Sequence, residues 1–211
     1  AASDVYKRQS LDSFLGMLRD AGLGSLPGTA AEVLDDDVRK ILCPDKLNTK
    51  QWLDIVATAH NVGLKTTSTI MFGHIDTPTN WAKHLMQLRD LQKKTQGITE
   101  FVPLPFVHME APIYLRGLAR PGPTWRETVL MHSVARLVLY PCINNIQTSW
   151  VKLGPLGATA CLNAGANDLG GTLMNETITR SAGASHGQEF NPKQMDDLIN
   201  SAGRKSKQRT T

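Results

Sequence analysis

The strongest constraint on this chain is alternation: strings rich in β-branched and apolar residues recur between amphipathic helical stretches. Lys65 to Phe72 (KTTSTIMF) has the composition of a strand, and Glu100 to Val107 returns as another in spite of Pro103 and Pro105. Strand signals also fall at Leu23 to Thr29, Ile143 to Lys152 and Ala166 to Leu169. Between them, helical spacing places Leu11, Phe14, Leu15 and Leu18 on one face, then Trp52, Ile55, Val56 and Ala59, then Trp81, Leu85, Leu88 and Leu91. Thr49 reads as the cap of the second of these helices. Thr124 and Glu127 have the spacing of a capping box opening a helix to about Tyr140, and Asn191-Pro192 opens the last one. Strand and helix succeeding one another in this way imply a parallel sheet with right-handed helical crossovers. Five strands fall short of a complete eight-stranded barrel, which takes about 250 residues. The expectation is therefore an open α/β sheet or part of a barrel.

With 211 residues, 41% of them hydrophobic and 20% charged, the chain has the composition of a globular protein. No stretch approaches the ~18 consecutive apolar residues of a spanning helix, so no membrane partner is expected. Cys43, Cys142 and Cys161 are too few for a disulfide scaffold, which points to a reducing compartment, and none has C-x-x-C spacing. The net charge is +4, yet Arg204, Lys205, Lys207 and Arg209 alone supply it, leaving a neutral body. A basic segment of this kind reads first as a solvated terminus, and it gives no reason to expect nucleic acid as a partner.

In parallel α/β folds the chemistry sits just beyond the carboxyl ends of the strands. Those positions hold Glu32, then Gly73, His74 and Asp76, then His108 and Glu110, then Gln147 to Trp150, and last Asn167, Asp168 and a Gly170-Gly171-Thr172 turn. His74-x-Asp76 and His108-x-Glu110 could form a hydrolytic metal centre, because two-residue spacing on an extended chain points both side chains the same way. Six histidines make such pairs common by chance, and His60, His84 and His132 read as packed or surface positions on helices. No phosphate-binding glycine loop and no G-x-S-x-G nucleophile elbow is present. The segment His108 to Pro123, with three prolines and two glycines, reads as a long loop near the site.

Five strings are more specific: AGLGSLPGTAAEVL (21–34), ILCPDK (41–46), TIMFGHID (69–76), EFVPLPFVHME (100–110) and ANDLGGT (166–172). In this order they closely resemble the radical S-adenosylmethionine enzymes of the CofH and FbiC group, the FO synthase family, and more distantly the aminofutalosine synthases of the menaquinone pathway. The resemblance runs from about Ser10 to Thr211. It implies an α/β fold, a partial TIM-type barrel of the radical S-adenosylmethionine class with a C-terminal helical extension. It divides the chain into a non-family leader (1–9), barrel (10–203) and basic tail (204–211). It also implies a cytoplasmic enzyme that transfers the hydroxybenzyl group of L-tyrosine to 5-amino-6-(D-ribitylamino)uracil in deazaflavin synthesis, with a CofG-type half for the second step.

The implied cofactors are S-adenosylmethionine and a 4Fe-4S cluster. The family's cluster loop, C-x-x-x-C-x-x-C, has no counterpart here, so the resemblance implies no metal ligand in this chain and a C-terminal fragment whose cluster cysteines lie in a missing N-terminal part. Its adenosylmethionine-contacting pattern, G-x-I-x-G-x-x-E, falls on Thr69, Met71, Gly73 and Asp76, with threonine and aspartate as departures; Glu32 is a further polar candidate. His108, Glu110, Trp150, Asn167 and Asp168 are substrate-side candidates by position. The alternatives are a metal-dependent hydrolase using His74, Asp76, His108 and Glu110, and a non-catalytic domain that keeps the substrate pocket.

Overall fold

The computed structural model describes residues 9–184 and 187–209. Chain positions 1–8 of the expected leader therefore lie outside the described residues. The first helix, α1 (Leu11–Asp20), is followed by β1 (Ser25–Leu26), α2 (Asp36–Leu42), α3 (Thr49–Asn61), β2 (Lys65–Phe72), α4 (Pro78–Thr95), β3 (Ile98–Pro105) and α5 (Pro112–Leu115). Beyond these come α6 (Trp125–Leu139), β4 (Asn145–Ile146), α7 (Trp150–Asn163), α8 (Ile178–Ser181) and α9 (Pro192–Ser201). The sheet has the order β1-β2-β3-β4, and every pairing is parallel.

Alternation along β2 and β3 separates the two faces of this sheet. Ile70, Phe72, Phe101 and Ile146 turn to one side, where α2, α3, α4 and α6 cover them with Val38, Trp52, Val56, Leu85, Leu88, Met131 and Leu139 in one continuous core. Burying each such side chain contributes roughly 1.5–3 kcal/mol, which makes this layer the main source of stability. The opposite face carries Thr67, Thr69 and Met71 in register with Glu100, Val102 and Leu104. A second core, built on Trp150, Ala158, Cys161 and Leu162, joins α7 to Phe190 and α9.

The caps follow from local chemistry. Thr124 Oγ1 accepts from the Glu127 amide while Glu127 Oε2 accepts from the Thr124 amide, the reciprocal box expected from the spacing. Asn191 and Gln194 do the same for α9. At α3 the cap is Asn48 rather than Thr49, because Asn48 Oδ1 reaches the Gln51 amide at 2.8 Å and Gln51 answers at 3.0 Å.

Three expected strands shrink, and of Leu23 to Thr29 only Ser25–Leu26 pairs in the sheet. Ile143 to Lys152 keeps only Asn145–Ile146 in the sheet, since Ser149 accepts from the amides of Lys152 and Leu153 and turns the chain into α7. Ala166 to Leu169 is reduced to a single parallel bridge between Gln147 and Asp168. It is framed by Gly165 and Gly170, both at positive φ, and the Asp168 carboxylate accepts from the Gly170 amide at 2.6 Å, which bends the chain after one pairing. The sheet thus has four named strands among the described residues, not five. The long loop from His108 to Pro123 contains one turn of helix, α5.

Candidate functional site at the carboxyl ends of the strands

The exit of β2 is a closed hydrogen-bonded turn. Asp76 Oδ1 accepts from the amides of Gly73 (2.9 Å) and His74 (2.7 Å), and Oδ2 accepts from the Trp81 indole. His74 Nε2 donates to the Met71 carbonyl at 2.9 Å, and Nδ1 accepts from the Ile75 amide at 2.7 Å. With Nδ1 used as an acceptor the ring is neutral. Its 3.0 Å approach to Asp76 Oδ1 is therefore a contact within the turn and not an ion pair. Burial holds the His74 pKa below its usual value despite that carboxylate, in agreement with the neutral ring.

The neighbouring candidates are also committed to the protein itself. Thr69 Oγ1 donates to the Gly28 carbonyl at 2.8 Å, and the Met71 amide donates to the Glu32 carbonyl at 2.9 Å. The Glu32 side chain pairs with Lys46 Nζ at 2.7 Å. Gly73, at φ +94°, lies against Pro123. Glu32, Thr69, Met71, Gly73 and Asp76 are thus brought together at one end of the sheet. Their polar groups are largely spent within the protein, leaving the Met71 side chain and part of the Glu32 carboxylate for any ligand.

The five substrate-side candidates do not converge. His108 is half-buried with its ring 4.6 Å from that of Tyr114, and Glu110 is exposed. Trp150 is buried in the second core, its ring 5.0 Å from Phe190 and its indole donating to the Gly171 carbonyl at 3.2 Å. Asn167 Oδ1 accepts from the Ile146 amide at 2.9 Å and from Arg136 on α6 at 2.7 Å, so it stitches the strand edge to the covering helix. Asp168, one residue on, meets Arg209 instead.

One feature had no sequence signal. A cavity of about 280 Å³ opens beyond the carboxyl end of β3, lined by Phe106, Val107, Pro123, Trp125, Thr128 and Lys152. Lys152 is the one cation on its wall, and its ammonium makes no hydrogen bond or ion pair among the described residues. Burial pulls its pKa down, with Glu176 opposing. Nothing in the spacing of a lone lysine in the first turn of α7 marks it out.

For metals, the described residues contain no group of three or more His, Cys, Asp or Glu side chains able to hold an ion. Cys43 and Cys142 are half-buried, and Cys161 is buried with its thiol pushed up to about 11 by desolvation. These cysteines do not fit the ligand set of a 4Fe-4S cluster. His60, His84 and His132 are all buried packing residues, as their helical positions suggested.

A parallel sheet covered by helices on one side, with its polar turns gathered at the carboxyl ends of the strands, defines a protein of the α/β class. Residues 95–211 match the CofH/MqnC C-terminal region, and the chain belongs to that family. Over 202 residues it is 54% identical to the FO synthase of Mycobacterium leprae, covering 96% of this chain and 23% of that protein. It is 53% identical over 203 residues to the 5-amino-6-(D-ribitylamino)uracil--L-tyrosine 4-hydroxyphenyl transferase of Methanopyrus kandleri, covering 96% of this chain and 55% of that protein. The FO synthase of Streptomyces coelicolor is 52% identical over 202 residues, with 96% and 23% covered. The chain thus spans from about a quarter to about half of these relatives' lengths. No helix among the described residues is long and apolar enough to cross a membrane.

Proposed function

We propose that this chain is the C-terminal part of an FO synthase-type transferase, which moves the hydroxybenzyl group of L-tyrosine to 5-amino-6-(D-ribitylamino)uracil. The observation that carries this reading is the identity of 53% over 96% of the chain to a relative named for that transfer. The same reading makes the four-stranded sheet an arc of a TIM-type barrel. Its support is the placement of α2, α3, α4 and α6 in one core on a single face, as the outer ring of a barrel requires.

S-adenosylmethionine and a 4Fe-4S cluster are the cofactors of this family reading. Because the described residues do not supply the cluster's ligands, we assign them to sequence in the longer parent, and no step is derived through either group. What this chain's own residues contribute is shape and a charged wall. Asp76 and His74 hold the β2 exit turn, Trp150 and Gly171 anchor the far rim, and the cavity beside Lys152 is the position we assign to an anionic group of a substrate. Within the same proposal the three unpaired thiols support a cytoplasmic location, and a CofG-type half acts as the partner for the second step.

The test is an anaerobic assay of a full-length parent containing this chain, with S-adenosylmethionine, L-tyrosine and the uracil. Formation of the hydroxybenzyl adduct, detected by mass, is the expected result. Its absence in a preparation shown to carry an intact cluster overturns the reading, and turnover of a menaquinone precursor instead would assign the chain to the MqnC side of the family. The hydrolase alternative has little support, because His74 and Asp76 are consumed within their turn and Glu110 is exposed.

A further inference from the structure

The basic segment after α9 is not simply solvated. Arg209 Nη1 lies 2.8 Å from Glu100 Oε2 and its Nε lies 2.9 Å from Asp168 Oδ2, so one guanidinium bridges two carboxylates. Both acids are nearly buried, with side chains 10% and 7% exposed. Glu100 stands on the face of β3 opposite the main core, in register with Thr67 on β2 and Asn145 on β4. Asp168 is bridged to Gln147, two residues beyond Asn145, and so borders the same face. Among the described residues, no other cation pairs with either acid. Burial and the neighbouring Asp168 raise the Glu100 pKa, and Arg209 opposes them, as expected for two like charges sharing one counter-ion.

We propose that Glu100 and Asp168 form a guanidinium site on the face of the sheet opposite the main core, filled in cis by Arg209, which ties the segment 204–209 to that site and positions Asp168. The consequence reaches the rim of the candidate site. Asp168 offers Oδ1 to the Gly170 amide at 2.6 Å and its carbonyl to the Thr148 amide at 2.8 Å, and the adjoining Gly171 carbonyl holds the Trp150 indole. Arg209 is therefore a positioning residue, acting on the turn through Asp168. The planar guanidinium suits this task, because its fork reaches two separated carboxylates where an ammonium is a single point of charge. At the other end of the segment, Arg204 Nη2 donates to the Leu162 carbonyl at 2.8 Å, which fixes the direction in which the chain leaves α9.

Limited trypsin digestion with mass detection tests the latch: Arg204, Lys205 and Lys207 are exposed, so cleavage of the bonds beside them is slowed only if docking of Arg209 restrains the backbone of the segment. In the native chain these bonds should be cut at least about tenfold more slowly than in a synthetic peptide of residues 201–211. Arg209→Gln, and independently the double variant Glu100→Gln with Asp168→Asn, should abolish that protection while circular dichroism shows the fold intact. Arg209→Lys should restore it only in part. Millimolar guanidinium, against sodium as control, should raise the melting temperature of Arg209→Ala. Native-chain cleavage at the peptide's rate overturns the proposal even if the variants fail to fold. So does unchanged protection in the folded Arg209→Gln protein.

Discussion

Gly73 and Pro123 are in direct van der Waals contact: a β-carbon on residue 73 would stand 2.3 Å from Pro123 Cδ. The contact ties the exit of β2 to the end of the long proline-rich loop, and Pro123 also lines the cavity beside Lys152. Gly73 sits at φ +94°, a conformation that side chains disfavour, so both backbone and packing demand glycine there. Gly73→Ala is expected to destabilise the protein by about 2–4 kcal/mol in urea unfolding. A loss below about 1 kcal/mol would mean that the loop moves freely away from the turn.

Asp76 accepts from two amides and one indole while buried, so Asp76→Ala strands three donors at once. The expected cost is about 3–5 kcal/mol, with Asp76→Asn less severe because one acceptor oxygen survives. Chemical denaturation of both variants checks the ranking. An alanine variant as stable as the asparagine one would show that water replaces the carboxylate.

Stability should fall in mild acid. His60 and His84 have pKa values lowered by burial to about 4 and about 3, against about 6.5 in the unfolded chain. A depressed histidine pKa means that the unfolded state binds the proton first. The contribution is complete above about pH 6.5 and is lost as pH falls toward 4, with a limiting slope of about 1.4 kcal/mol per pH unit for each ring. His60 is held by Thr95 Oγ1 at 2.6 Å and Thr66 Oγ1 at 2.9 Å, so His60→Gln should flatten the slope between pH 6 and 4 as it lowers stability at neutral pH. Unfolding curves across that range provide the measurement.

Lys152 should cost stability where it stands. Its pKa is lowered by burial, so the charged form is disfavoured in the folded state at every pH below the unfolded value. Lys152→Met is expected to stabilise the chain by on the order of 1 kcal/mol at neutral pH, with the gain shrinking as pH rises through the lowered folded pKa and gone above about pH 10.5, while removing the one cation from the cavity wall. A destabilised variant would indicate that the ammonium has a partner.

The capping box of α6 is reinforced by Arg120, whose Nη1 reaches both Glu127 oxygens at 3.0 and 2.8 Å. Thr124→Ala should cost about 1 kcal/mol, and Glu127→Ala somewhat more because it also frees a half-buried arginine. Thermal unfolding of the two single variants and the double variant measures their coupling.

The elements legible from the residues were those whose signals are local. Lys65 to Phe72 forms a strand over its whole length because β-branched residues suit a pleated, half-buried surface, and the box at Thr124 closes through neighbours three apart. Short strands were less legible. Asn167 and Asp168 spend their side chains on the Ile146 and Gly170 amides, and only the folded neighbours reveal that competition.

For the candidate site, the chain's own letters determined the family strings, the parallel α/β class and the gathering of Glu32, Thr69, Met71, Gly73 and Asp76 at one end of the sheet. Tertiary structure alone decided what those groups are free to do. Hydrogen-bond capacity is finite, and which partner claims it depends on residues far apart in sequence. So His74 and Asp76 became the struts of a turn, adjacent Asn167 and Asp168 were sent to different partners, and a lysine with no motif was placed on a cavity wall. Arg209, counted with the charges of a basic tail, was placed between Glu100 and Asp168, 109 residues away in the first case, a distance across which no local pattern carries information.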